Sequence, residues 1–292
     1  MATQDDIEYH YDVDNHFYEL FLDKDYLAYS CAVWKDAQTL ESAQKAKLDR
    51  LSRYARIKPH QRVIDVGCGW GGLLKHISQH YADTHLHGLT LSTNQSTYVN
   101  ALNLPQTAIQ LMSWQDFKAP GQKFDAIVSI GAFEHFASFE DQSKNKQREI
   151  YQHFFEWCRS ISTNDASIGL QTIVINRAPK NLSEVRDSRF ILTKVFPGSA
   201  LPCINDIQAS IVDQYEIAQA KKIGLDYART LNEWNVRLKN NKEKIISKYS
   251  EALFAHYQEY FEACERCFES GYVDLFQVSL KRVQPTRILA KK

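Results

Sequence analysis

The residues Val63-Ile-Asp-Val-Gly-Cys-Gly-Trp-Gly-Gly72 run an apolar strand straight into a glycine-rich turn, and Leu73 to Ser78 beyond it reads as a helix. Glycine tolerates dihedrals that side chains forbid, so backbone there can approach a ligand closely. Helix N-terminal amides pointing into the turn suit a nucleotide-like cofactor at the carboxyl end of a first strand. The spacing Gly67-x-Gly69-x-Gly71-Gly72 is not the dinucleotide Gly-x-Gly-x-x-Gly. A dehydrogenase would also place an acid at the end of its second strand to hold ribose hydroxyls. Here that strand ends His87-Gly-Leu-Thr-Leu-Ser-Thr-Asn-Gln95, with Thr90 and the Gln95 amide as the polar groups instead. Trp114, just after the third strand, is a candidate to stack on an adenine face, with ordinary core packing as the alternative. Glu134 follows an apolar strand, where such sheets collect catalytic groups. Taken singly, Cys31 reads as a small buried hydrophobe and Tyr227 as packing, while His135 is open between a functional role and a bond to a backbone carbonyl.

These residues need a scaffold, and the hydrophobic pattern supplies one. Arg62–Val66, Leu86–Leu91, Ala108–Met112, Ala126–Ile130 and Ile168–Ile175 read as strands alternating with helical segments. That is the pattern of a parallel sheet covered on both faces. Residues 1–60 look helical and aromatic-rich, with a helix over Leu40–Tyr54 ended by Pro59. Residues 177–232 read as irregular, Leu231 to Glu269 as one long amphipathic helix, and Val273–Val283 as a closing strand. The expectation is a single domain: a helical N-terminal cap (1–60), a cofactor-binding core (61–176), a helical insertion covering the substrate (177–270) and a C-terminal strand (271–292).

Composition narrows the function classes. The chain has 292 residues, 44% of them apolar, enough for a full core. Lysine plus arginine equals aspartate plus glutamate at 35 each, so charge points to no nucleic-acid partner. No apolar run approaches a spanning helix, and the acidic start Met1-Ala-Thr-Gln-Asp-Asp lacks a signal-peptide core. Cys264-Glu-Arg-Cys267 comes closest to a metal spacing among six cysteines, but no second pair completes a zinc site, so no metal is expected. A cytoplasmic protein with reduced thiols is expected. Oligomeric state is left open, as is a peripheral membrane contact through the aromatic N-terminal helices.

The Asp-Val-Gly-Cys-Gly-Trp-Gly form is that of S-adenosylmethionine (SAM) methyltransferases, and the chain resembles one branch of them, the cyclopropane fatty acid and mycolic acid cyclopropane synthases. The resemblance rests on His10-Tyr11-Asp12, Asn15-His-Phe-Tyr-Glu-Leu-Phe-Leu-Asp23, Tyr29-Ser-Cys-Ala-Val-Trp34, Val66-Gly-Cys-Gly-Trp-Gly71, Gly88-Leu-Thr-Leu-Ser92 with Asn94-Gln95, and Ser129-Ile-Gly-Ala-Phe-Glu-His-Phe136. Phe196-Pro-Gly, Leu201-Pro202, Asp226-Tyr-Ala-Arg-Thr-Leu231 and Gly271-Tyr-Val-Asp274 continue it in order. It implies a Rossmann-like, seven-stranded, mostly parallel α/β sheet. It further implies SAM on Tyr29, Ser30, Gly67, Gly69, Thr90, Gln95 and Trp114, with Ile130 and Gly131 under the methionine end. The implied substrate is an unsaturated acyl chain on a phospholipid or a carrier. The length resembles the mycolic acid enzymes more than the phospholipid enzymes, which carry an additional N-terminal lipid-binding domain.

The family moves the SAM methyl onto an alkene carbon, which leaves a carbocation that aromatic faces can stabilise in a dry pocket. Phe17, Tyr18, Trp34, Phe133, Phe190, Phe196 and Tyr227 are the available rings. Closing the ring requires a base, for which the family is thought to hold a bicarbonate ion. The resemblance maps four of the holding positions onto Cys31, Glu134, Ile173 and Tyr227. The fifth, a histidine, is replaced by Gln171. Glutamine offers two donors and an acceptor but cannot carry charge or pass a proton. Three readings stay open: Gln171 holds the anion and cyclopropanation survives; the site methylates a carbon, amine or hydroxyl of a small molecule; or SAM binds without efficient turnover.

Overall fold

The computed structural model describes residues 14–119 and 121–284. The His10-Tyr11-Asp12 motif lies outside the described residues, as does the end of the 271–292 segment. Seven strands form one sheet in the order β3-β2-β1-β4-β5-β7-β6. They are β1 (Arg62–Val66), β2 (His85–Thr90), β3 (Thr107–Leu111), β4 (Phe124–Ile130), β5 (Ser162–Ile175), β6 (Tyr215–Lys222) and β7 (Val273–Arg282). The first five are parallel, and β7 runs antiparallel between β5 and β6. Chain order reverses on either side of β1, so a crevice opens at the carboxyl ends of β1 and β4, the place where open α/β sheets bind ligands.

Helices Leu40–Tyr54, Gly72–His80, Thr93–Ala101 and Gln147–Ile161 cover the two faces of this sheet. Their apolar positions repeat at helical spacing, and Val63, Ile64, Ile127, Val128 and Ile168 are fully buried between them. Thr39 and Ser42 form a reciprocal cap that starts the Leu40–Tyr54 helix. That helix rests directly on β5: a Cβ added at Gly169 would sit 2.8 Å from the Leu51 carbonyl oxygen.

Outside this core the structure corrects several expectations. Within the described part of residues 1–60 only Asn15–Glu19 and Leu40–Tyr54 are helical. Phe17, Tyr18 and Phe21 are fully buried against Tyr257, Phe261 and Trp234, so these three rings belong to the core. Residues 177–232 are not irregular. They hold helices Leu182–Phe190 and Ile204–Ser210, a π-helical turn Ile191–Val195 and strand β6, so the 177–270 segment is not purely helical. The sequence of β6, Tyr-Glu-Ile-Ala-Gln-Ala-Lys-Lys, is mostly exposed at the sheet edge and carries no apolar alternation to announce it. The long helix expected over Leu231–Glu269 is three helices, Gly224–Asn240, Lys242–Lys248 and Glu251–Glu269, broken at Asn241 and again at Ser250, whose side chain caps the last. Folding back lets Trp234, Leu238, Phe254 and Phe261 share one core, which a straight helix would leave in solvent.

Candidate active site

Gly67 and Gly69 adopt φ of +82° and +53°, the left-handed region closed to most side chains. At Gly67 a Cβ would also stand 2.4 Å from Ala132 Cβ. At Gly69 nothing lies within 4 Å, because that position faces open space. The amides of Gly67 and Cys68 both donate to Leu89 O, which ties the turn to the end of β2.

The turn borders a cavity of about 160 Å³. Tyr29, Ser30, Gly67, Gly69, Thr90, Gln95, Trp114, Ile130 and Gly131 all line it. Tyr29 and Ser30 come from an irregular segment pinned at both sides. Gln44 Nε2 donates to the Ala28 and Ser30 carbonyls, and Thr230 Oγ1 accepts from Ala32 N and Trp34 Nε1. Thr90 Oγ1 donates to Gln95 Oε1 at 2.7 Å, which leaves the Gln95 amide nitrogen to donate toward a ribose. Trp114 satisfies both of its readings. It packs on Phe136, Phe154 and Trp157, yet its ring borders the cavity and its buried Nε1 has no protein partner.

Two residues in this cavity escaped sequence reasoning. Lys47 and Asp65 are both buried and both line it. Lys47 Nζ donates to Ser30 Oγ at 2.8 Å, and burial pulls its pKa down to about 8. Burial pushes Asp65 up to about 7, partly offset by the Lys47 charge, and its Oδ1 has no hydrogen-bond partner. A buried cation and a buried carboxyl with an orphan oxygen complement the carboxylate and ammonium of an amino acid, so these residues fit the methionine end of SAM. Lys47 sits on an amphipathic helix like any surface lysine, and only its position over β1 marks it.

A second cavity, of about 230 Å³, adjoins the first, and Tyr29, Ser30, Gly131 and His135 line both. Its other walls include Ile173, Ile175, Phe196, Leu201, Tyr227, Tyr260 and Phe268. No lysine or arginine is among the described residues that line it. Glu134, on the 3-10 turn Phe133–His135 after β4, borders this cavity with 4% of its surface exposed. Its carboxylate accepts from Thr172 Oγ1 at 2.9 Å, and burial pushes its pKa up to about 7. His135 donates to or accepts from Ser199 Oγ rather than a backbone carbonyl, and burial lowers its pKa to about 4, so it is neutral. Gln171 lies on β5, buried, with Nε2 3.4 Å from Cys31 O and Oε1 accepting from Gln277 Nε2 at 2.7 Å.

Four of the five catalytic candidates, Glu134, Gln171, Ile173 and Tyr227, thus line one cavity. Cys31 lines neither cavity: its thiol donates to Ala32 O and is pushed far up by burial. It reaches the site only through its carbonyl. Instead Cys264 and Cys267, one turn apart on Glu251–Glu269, both line the second cavity. Of the seven candidate rings only Phe196 and Tyr227 line it. Phe17, Tyr18 and Phe133 are core, Trp34 lies under Arg229, and Phe190 packs on His256. An oxyanion such as bicarbonate would meet Gln171 N–H and Tyr227 here with no cation. It fits beside Glu134 only when that carboxyl is protonated, which a pKa of about 7 permits.

Known proteins resemble the chain over almost its whole length. The profile of the mycolic acid cyclopropane synthetase family matches residues 1–278. Cyclopropane mycolic acid synthase 1 of Mycobacterium tuberculosis is 33% identical over 292 residues, covering 94% of this chain and 96% of that protein. The S-adenosylmethionine-dependent methyltransferase UmaA of the same organism is 34% identical over 287 residues, covering 93% and 95%. The crystal structure of mycolic acid cyclopropane synthase CmaA1 complexed with SAH and CTAB superposes with a TM-score of 0.85 at 32% identity, covering 95% of this chain and 98% of that one.

Proposed function

Because this chain belongs to the mycolic acid cyclopropane synthetase family, we propose that it is a SAM-dependent transferase that places a methyl or methylene group on an alkene carbon of an unsaturated acyl chain. One observation carries the reading: a cavity bordered by the buried Lys47 and Asp65 shares lining residues with an apolar cavity where, among the described residues, Glu134 is the one carboxyl. SAM supplies an electrophilic methyl on a sulfonium. Lys47 and Asp65 receive the amino-acid end, and Gln95 and Thr90 the ribose. The nine residues expected for the cofactor line the cavity that would hold it.

On the other side of the shared wall, Ile173, Phe196, Leu201 and Phe268 exclude water from an alkene and from the positive charge that alkylation creates on it. Tyr227, tilted against Phe268 with ring centroids 4.6 Å apart, adds an aromatic ring to that wall. Glu134 is the group that can take the proton released on ring closure, since a pKa near the working pH favours proton transfer in both directions. With no lysine or arginine in the lining, the headgroup or carrier of the acyl chain stays outside the cavity. The six cysteines are all free thiols, as suits a reducing cytoplasm.

A second reading, methyl transfer to a nucleophile on a small molecule, draws on Gln171, which cannot shuttle a proton. Trideuterated-methyl SAM separates the two. The protein is incubated with vesicles of unsaturated phospholipid, an unsaturated acyl-carrier protein and a small-molecule extract in parallel. An acyl product that keeps two deuteriums has lost one from the transferred methyl, as cyclopropanation requires. A product that keeps all three is simple methylation. Label found only in small molecules overturns the acyl reading.

A further inference from the structure

We infer that Arg50 and Gln277 are positioning residues that fix the polarity of the Gln171 amide, so that the substrate cavity meets an N–H and never a C=O at this point. The inference rests on the reading that the cavity holding Gln171 is where the acceptor reacts.

The polarity is dictated by the two ends of a hydrogen-bonded chain. At one end is the Arg50 guanidinium, which can only donate, and its Nη1 donates to Gln277 Oε1 at 2.9 Å. Gln277 must therefore turn its amide nitrogen the other way, and Nε2 donates to Gln171 Oε1 at 2.7 Å. That uses the Gln171 acceptor and turns its nitrogen toward Cys31 O, which can only accept. Reversing either amide would set two oxygens or two N–H groups against each other in a buried site. Gln171 Nε2 has two hydrogens, and the Cys31 carbonyl engages one across 3.4 Å. The other is free for an occupant of the cavity.

The fold builds this chain from distant pieces. Gln171 and Gln277 are directly paired across the antiparallel β5–β7 ladder, both buried. Arg50 descends from the Leu40–Tyr54 helix, which Gly169 lets approach β5 closely. The consequence is chemical. The atom resting against Gln171 is a hydrogen-bond acceptor, such as an oxygen of a small oxyanion, and an ammonium, which can only donate, is rejected there. An imidazole at position 171 would be held the same way, accepting from Gln277 with one nitrogen and presenting N–H with the other. Glutamine thus preserves the donor while removing the proton-carrying capacity.

The test reads the amide itself. In cofactor-free protein labelled with 15N on glutamine side-chain amides, the Gln171 signal is identified by its loss in Gln171→Met. Arg50→Met, which removes only the half-buried guanidinium, is expected to shift both the Gln277 and Gln171 amide signals. A Gln171 signal unmoved in Arg50→Met overturns the relay, whatever the enzyme's substrate proves to be. Gln277→Glu keeps the Arg50 pair but places a carboxylate oxygen against Gln171, which inverts its amide. The expected result is about a tenfold fall in kcat for trideuteromethyl transfer with SAM affinity unchanged. Adding Gln171→His to Gln277→Glu restores a donor only while the ring is protonated, when one nitrogen donates to the carboxylate at position 277 and the other to the cavity. Below that imidazolium's pKa it should recover most of the loss. Equal activity of the double and single variants, with both folded, would show that packing rather than polarity matters.

Discussion

Glu134→Gln should stabilise the protein above neutral pH while abolishing its turnover. The Glu134 carboxyl is 4% exposed, and burial lifts its pKa from 4.5 to about 7. Each pH unit of that rise corresponds to about 1.4 kcal/mol, so ionising the buried group costs about 3 kcal/mol of folding free energy. The sign follows from proton counting. Between pH 4.5 and 7 the native state holds a proton that the unfolded state has released, so stability is fully present below 4.5 and falls until about pH 7. Glutamine has no charge to desolvate and can still accept from Thr172 Oγ1. Unfolding entropy of about 2 cal/mol/K per residue gives about 0.6 kcal/mol/K for a 292-residue chain, so about 3 kcal/mol becomes about 5 °C. Thermal melting of both cofactor-free proteins from pH 4.5 to 8 measures this directly. The Tm values should converge at pH 4.5 and separate by about 5 °C, variant higher, at pH 8. Loss of the proton acceptor should lower kcat by about a hundredfold or more. Melting curves that stay superimposed at every pH would refute the claim that burial desolvates this carboxyl without a cation beside it, and with it the basis for its role as base.

Lys47→Met should weaken SAM binding by about ten- to a hundredfold, the range of a charge-assisted hydrogen bond, as measured by calorimetry. In the wild type, affinity should decline above pH 8 as Lys47 loses its proton; an unchanged Kd in the variant would remove Lys47 from the cofactor site. Gly67→Ala forces a Cβ to 2.4 Å from Ala132 Cβ at a φ of +82°, so urea unfolding should show a loss of at least about 2 kcal/mol. Gln171→His should raise the fraction of product that keeps two deuteriums when an alkene is bound, because imidazole can pass a proton. The same fraction in both proteins would show that position 171 does not limit ring closure.

The sequence by itself determined the elements whose causes are local. β1 was legible to the residue, since an apolar run followed by three alternating glycines leaves few alternatives. The helix over Leu40–Tyr54 followed from its periodicity and from Pro59. The cofactor candidates line one cavity; all but Tyr29 and Ser30 follow or end neighbouring strands, where a parallel sheet gathers its loops. What tertiary structure decided depends on partners far apart in the chain. Gln171 meets Cys31 across 140 positions and Gln277 across 106, so no spacing within a window could reveal the relay. Lys47 keeps the same helical spacing whether it faces water or β1. Among seven rings, which two face the second cavity was set by how the helices after Asn176 fold back over the sheet. Cys31 shows the same limit: its carbonyl meets Gln171, while its thiol turns back onto the neighbouring Ala32 carbonyl. Local sequence encodes what a segment prefers to be. Which of its faces is left to do chemistry is settled only when distant segments compete to bury the others.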